Sequence, residues 1–304
     1  MFSLDKKIWQ WGAILLLAFV WGASFILIKK GLEAFSYMQV GALRVLLCAF
    51  VLLPVAIKNL KIVNKKNVGW LIISGLTGNF IPALLFSFSQ THLSSSLAGT
   101  LNSLTPFFVL IVGIVAFKNR PTILQYIGVL IGFVGVSLLI TGGNFHSFGN
   151  LNVHALFIAL ATFLYGINAN LVKFKFQELS GAQTTSLVFF FMAPPALITL
   201  LLTDFSAPFA GMMWLPSLSA IFILALFGSG LSLFLYYNLI HRCGAIFASS
   251  TTYIIPLFAL MWGVFDGEKI NITHLCSLAI ILVGVYLSSF RRLPVICRKK
   301  ADYS

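Results

Sequence analysis

An internal duplication constrains this chain more than any other feature. The stretch beginning at Leu16 recurs at Leu160. Gly22/Gly166, Leu27/Leu171, Lys29/Lys173, Ser36/Ser180, Gln39/Gln183 and Leu43/Leu187 are identical pairs at a shift of 144 residues. Further along the shift becomes 150, and Gly78/Gly228, Ala98/Ala248, Pro106/Pro256, Phe108/Phe258 and Gly113/Gly263 align without a gap from residue 71 to 117.

The composition sets the medium in which the two copies fold. Of the 304 residues 59% are hydrophobic and only 9% charged, against about 25% charge in soluble domains. Mean hydropathy is +0.99. Apolar stretches recur at a length that crosses a hydrocarbon core of roughly 30 Å, whereas a β-barrel would alternate apolar and polar residues over about 10 positions. The expectation is an all-α membrane protein with helices near 10–28, 38–57, 68–88, 95–117, 123–140, 153–172, 183–202, 215–237, 245–264 and 274–290.

Ten transmembrane helices place both termini on one side. Sixteen basic residues share that side, from Lys6, Lys7 and Lys58 through Lys118 and Lys173 to Lys299 and Lys300, while the other holds only Lys29, Lys30 and Lys269. By the positive-inside rule the N- and C-termini are cytoplasmic. The net charge of +13 is thus explained by topology, and no nucleic-acid partner is expected. Five helices per copy force the second to enter from the opposite face, so the expected fold is two inverted five-helix repeats. The first covers 10–140 and the second 153–290, with an external linker over 141–152 and a basic cytoplasmic tail over 291–304. Inverted halves are how many secondary transporters build one site that opens to either side in turn.

Other signals are weak or missing. Cys48, Cys243, Cys276 and Cys297 are scattered and form neither a metal motif nor a disulfide framework. The first apolar stretch is long for a signal-peptide core and belongs to the repeat, so it reads as a retained helix. No GxxxxGK[ST] loop is present, so ATP drive within the chain is not expected, and neither is a cofactor or metal. Asn271-Ile-Thr273 is a sequon on the outer side, silent in most bacteria. Gly128-Val-Leu-Ile-Gly132 in helix 5 packs either within the bundle or between protomers, which leaves a monomer or a weak homodimer.

The chain resembles the EamA-like branch of the drug/metabolite transporter superfamily. The resemblance rests on Trp21-Gly22-Ala23-Ser24-Phe25, Lys29-Lys30-Gly31-Leu32 and Ala42-Leu43-Arg44, and late in the second copy on Pro256, Gly267-Glu268-Lys269 and Gly284-Val285-Tyr286. It covers about residues 10–290; the first copy departs from it with Lys118-Asn119-Arg120 in place of the acidic turn. The resemblance implies transport of small metabolites, often export, across a bacterial inner membrane.

A carrier of this design holds its solute near the midplane, between the halves. Trp21 and Ser24 share a face of helix 1, and Tyr165 and Asn168 hold the matching positions on helix 6. These four either line a cavity or fill the core and tie helices together. Gly78 with Asn79, and Gly228 with Ser229 and Gly230, form small mid-span breaks that serve close packing or bending. Asn102, Ser249 and Thr252 mark the polar starts of helices 4 and 9, ahead of Pro106 and Pro256, which are expected to kink their helices as gates or as fixed bends. Tyr236 and Tyr237 are expected to anchor the cytoplasmic interface. Arg44, roughly 9 Å into helix 2 at about 1.5 Å per residue, either binds an anionic solute or fixes the fold; its counterpart is Val188.

No Asp or Glu falls inside an expected span, and the histidines sit at helix ends or in the linker. Proton relays built from buried carboxylates are therefore not expected. The leading expectation is a non-enzymatic, multi-pass carrier for a small metabolite, such as an amino acid or related compound, working by alternating access. A membrane-embedded lipid or prenyl-modifying enzyme and a passive channel are the alternatives.

Overall fold

The computed structural model describes residue 4 and residues 6–141, 153–267 and 272–289. The linker beyond Thr141, the Glu268–Lys269 turn, the first sequon position and the basic tail lie outside them. Every regular element among the described residues is helical. In the first copy these are α1 (Lys7–Leu32), α2 (Tyr37–Ile62), α3 (Val68–Ser89), α4 (Ser95–Val115) and α5 (Ile123–Thr141). The second contributes α6 (Val153–Lys175), α7 (Gly181–Leu201), α8 (Trp214–Cys243), α9 (Ala245–Phe265) and α10 (Ile272–Ser289). Eight of them, α1 to α4 and α6 to α9, are long and apolar enough to cross a membrane; α5 and α10 hold shorter apolar runs, Ile123–Gly135 and Leu275–Gly284.

The repeat is legible in local structure. Ser36 caps α2, accepting from Gln39 N at 3.3 Å while Ser36 N donates to Gln39 Oε1 at 2.9 Å. Ser180 and Gln183 build the same reciprocal box on α7, at 3.2 and 2.8 Å. Each box satisfies two otherwise orphaned backbone donors, a stabilisation of about 1 kcal/mol. The small mid-span breaks also match: Leu76–Phe80 and Leu224–Leu231 are widened π-turns within α3 and α8. Such turns release carbonyls from the helix ladder and recur at functional sites.

Packing exchanges the copies. α1 packs on α8 and α9, α6 packs on α3 and α4, α2 lies against α7, and α5 against α10. Glycine permits the closest crossings. A Cβ on Gly22 would lie 2.5 Å from Phe258 Cβ, and one on Gly166 would lie 2.8 Å from the Phe108 carbonyl carbon. Phe108 and Phe258 are themselves repeat partners. Gly284 of α10 presses on α5, where an added Cβ would lie 2.5 Å from Gly132 N and 2.6 Å from Gly128 O. The GxxxG motif is thus engaged inside the bundle.

The bundle suits a lipid solvent. Phe50, Val115, Leu201 and Phe265 are exposed, while Ser74, Asn102, Asn168, Asn170 and Thr252 are buried. Between helices in a membrane, van der Waals packing and hydrogen bonds replace the hydrophobic drive.

Two expectations are corrected. α8 runs to Cys243 rather than ending at Tyr237. The tyrosines therefore sit about 9 Å inside the helix end, and Tyr237 is fully buried. The irregular turns in α4 and α9 precede the prolines. A 3₁₀ turn at Asn102–Leu104 ends before Pro106, which opens the helical segment Thr105–Val115, and α9 breaks at Ser250 while Pro256 sits within Thr251–Phe265. Each proline removes the donor that would bond the carbonyl four residues earlier, Asn102 O or Thr252 O. Both carbonyls find hydroxyls: Asn102 O accepts from Thr105 Oγ1 at 2.7 Å as well as from Thr105 N, and Thr252 O accepts from Ser103 Oγ at 2.9 Å.

Candidate functional site

A cavity of about 80 Å³ opens where the two copies meet. The first copy lines it with Trp21, Ser24, Arg44, Gly78, Asn79, Phe86, Asn102 and Thr105; the second with Tyr165, Asn168, Phe189, Gly228, Ser229, Tyr236 and Thr252. Drug-sized ligands occupy roughly 300–1,000 Å³, so the space as it stands suits a small solute.

The breaks described above carry Gly78, Asn79, Asn102, Gly228 and Ser229 into the lining. The widened turn of α8 presents Gly228 O to Trp21 Nε1, which donates at 2.9 Å, and carries Ser229, whose Oγ accepts from Arg44 Nε at 2.7 Å. α1 and α2 are thereby tied to α8 across the copies. On the opposite wall Ser74 Oγ donates to Asn168 Oδ1 at 2.6 Å, and Asn168 Nδ2 donates to the Tyr237 hydroxyl at 3.1 Å. The matched glycines clear the way: Gly78 lies directly against the Asn168 amide, and a Cβ on Gly228 would lie 2.8 Å from Ser24 Oγ. Ser24/Asn168 and Gly78/Gly228 are repeat pairs, so the same crossing is built twice.

Aromatic rings close the remaining walls. Trp21 meets Tyr236 edge-on at 5.0 Å, and Phe86 stacks on Tyr165 at 5.9 Å with Phe25 beside it at 5.8 Å. The polar groups differ in what they have left to offer. Ser24 Oγ donates to Val20 O of its own helix at 3.0 Å, and Thr252 Oγ1 to Ser249 O at 2.8 Å. Asn79 Nδ2, in contrast, is buried without a hydrogen-bond partner.

Ten of the sequence-derived candidates meet here: Trp21, Ser24, Arg44, Gly78, Asn79, Asn102, Tyr165, Asn168, Gly228 and Thr252. Ser249 does not; it is fully buried and its hydroxyl donates to Ile246 O at 3.0 Å. Pro106 and Pro256 also stand outside the lining. Ser229, Thr105, Phe86, Phe189 and Tyr236 were not singled out as lining residues. Ser229 had a signal available, since it is the repeat partner of Asn79.

Beyond the cavity, matched lysines reach across the copies. Lys29 at the end of α1 pairs with Asp266 after α9, and Lys30 Nζ lies 2.7 Å from Glu33 and 3.9 Å from Asp266. At the other end Lys173, closing α6, donates to Asn119 Oδ1 after α4 at 3.3 Å. One end holds an ion pair, the other a lysine–amide bond.

A helical, multi-pass membrane protein with a largely aromatic cavity carrying a few polar groups between duplicated halves has the form of a solute transporter. The EamA-like transporter family matches residues 9–141 and 153–290, and the chain belongs to that family. It is 25% identical over 283 residues to the uncharacterized transporter YetK of Bacillus subtilis (strain 168), covering 89% of this chain and 84% of the relative. It is likewise 25% identical over 295 residues to the uncharacterized inner membrane transporter YedA of Escherichia coli (strain K12), covering 91% and 89%. A solved crystal structure at 15% identity superposes with a TM-score of 0.65 over 91% of this chain and 96% of that one, a likeness of fold alone.

Proposed function

We propose that this chain is a secondary, non-ATP-driven carrier that moves a small metabolite, such as an amino acid or related compound, by export or exchange across a bacterial inner membrane. The membrane assignment extends to this chain what the name of YedA says of that protein. Ten spans, α1 to α10, form two inverted five-helix repeats with cytoplasmic termini, and the solute site is the cavity between them.

The observation that carries this reading is the exchange of contacts between copies. Gly22 meets Phe258 as Gly166 meets Phe108, and Ser24 meets Gly228 as Asn168 meets Gly78. An inverted pair built this way has two arrangements of similar energy, one open to each side. The irregular turns ahead of Pro106 and Pro256 serve as gates.

Purified protein in liposomes tests it. Saturable counterflow of at least one labelled solute is expected from a panel of metabolites chosen by thermal stabilisation, since a ligand of the native state raises its apparent stability. Flux that rises linearly with concentration for every stabilising solute points instead to a channel.

A further inference from the structure

Within that carrier reading, and narrowing its solute from amino acids to related carboxylates that lack an ammonium group, we propose that the solute is a monoanion seated by its carboxylate on Arg44 and Asn79, and that the membrane potential drives it outward. Arg44 uses its Nε donor on Ser229 at 2.7 Å. The four N–H groups of its two terminal nitrogens remain for the cavity that Arg44 lines. Lys29 with Asp266, and Lys30 with Glu33 and Asp266, form ion pairs that involve no residue of the cavity. The titratable groups that act on Arg44 are Tyr165 and Cys48, and neither is a carboxylate.

Asn79 adds a second donor. It is 7% exposed and lines the cavity; its Nδ2 has the Tyr237 hydroxyl beside it but makes no hydrogen bond of full geometry, so it can still donate to a solute. Its repeat partner Ser229 is already engaged in holding Arg44. A guanidinium without a counter-ion and an amide without a full hydrogen bond are each costly in a membrane interior. One carboxylate satisfies both.

The same inventory argues against zwitterions and amines. Among the described residues no Asp or Glu lines the cavity, so an ammonium group meets no counter-charge from them and is repelled by Arg44. The rings of Trp21, Phe86, Tyr165 and Tyr236 suit an apolar body behind the carboxylate. Transport of such an ion carries one negative charge, and an interior-negative potential favours its exit by about 50-fold in concentration per 100 mV. Export then needs no proton relay.

The test uses full-length protein in liposomes carrying a potassium/valinomycin potential, with protein-free vesicles subtracted. Two matched sets share one body each: 3-phenylpropionate, phenylalanine and phenethylamine, then isocaproate, leucine and isoamylamine. Saturable transport of the acids is expected, concentrating them about 50-fold per 100 mV on the positive side. Arg44→Gln removes it, Arg44→Lys retains a measurable part, and Asn79→Ala raises the half-saturation concentration several-fold. Saturable transport of the amino acids or amines in preference to the acids overturns the anion assignment and leaves the carrier reading standing. Acid transport indifferent to the potential, or retained in Arg44→Gln, overturns it equally. No saturable flux for any of the six overturns this proposal, whereas the carrier reading itself is decided by counterflow of the solutes found by stabilisation.

Discussion

Ser103 of α4 donates its hydroxyl hydrogen bond to Thr252 O of α9 at 2.9 Å. The carbonyl is available because Pro256, four residues on, has no N–H to offer it. A defect in one copy is thus repaired by a side chain of the other, at the crossing that borders the cavity.

That relationship predicts a non-additive pair. Ser103→Ala leaves a buried carbonyl unsatisfied, at a cost of about 1–3 kcal/mol. Pro256→Ala restores the helix donor, so the double variant should recover most of the stability lost in Ser103→Ala. Thermal unfolding of the four proteins in detergent checks this; equal losses with and without the proline would show that the carbonyl is not the cause. Transport should respond differently. Pro256→Ala and Pro106→Ala are expected to slow turnover while leaving expression unchanged, because a straightened helix loses its bend.

The glycine crossings predict matched sensitivity. Gly22→Val and Gly166→Val each drive a branched side chain into a backbone or Cβ contact below 3 Å, and overpacking of this kind costs about 1–3 kcal/mol. Gly12 has open space around it, and Gly12→Val should be tolerated. Folded yield by size-exclusion chromatography reads the difference, and three equal yields would refute it.

The two ends should open unequally. The Lys29–Asp266 pair is partly exposed, with side chains 43% and 19% accessible, which sets its strength at about 0.2–1 kcal/mol. Asp266→Asn should therefore raise access from that end by up to about fivefold. Asn119→Asp supplies Lys173 with a charged partner and should lower access from the other end. A reporter cysteine at Thr105 in a cysteine-free background, labelled from either side of sealed vesicles, measures both; parallel changes at the two ends would show that these lysine contacts do not hold the ends closed.

The Asn168 network predicts a smaller, shared loss. Tyr237→Phe removes the acceptor at 3.1 Å and Ser74→Ala the donor at 2.6 Å. Inter-helix hydrogen bonds in membranes average about 0.6 kcal/mol. Each variant should lower the melting temperature slightly. Asn168→Leu should lose more than either, since it also drives a branched side chain against Gly78.

Much of this was readable in one dimension. Paired residues such as Ser36/Ser180 with Gln39/Gln183 recur because each copy caps its second helix the same way, and capping is local. Gly22/Gly166 and Phe108/Phe258 recur because they meet each other. The end of α8 was not legible because Tyr236 and Tyr237 resemble interface residues, whereas Trp21 of α1 packs on Tyr236 and Asn168 of α6 bonds Tyr237.

The sequence by itself determined the medium, the duplication, the helix spacing and the family, since each depends on composition or on residues within a few turns of one another. Tertiary structure decided which polar groups are spent and which are available. Ser249 and Thr252 share one helix and similar chemistry, yet Ser249 is enclosed and Thr252 faces the cavity. Arg44 finds Ser229, and Asn79 finds no partner for its Nδ2. Helical periodicity says which residues share a face; only the crossing of two helices says what that face meets.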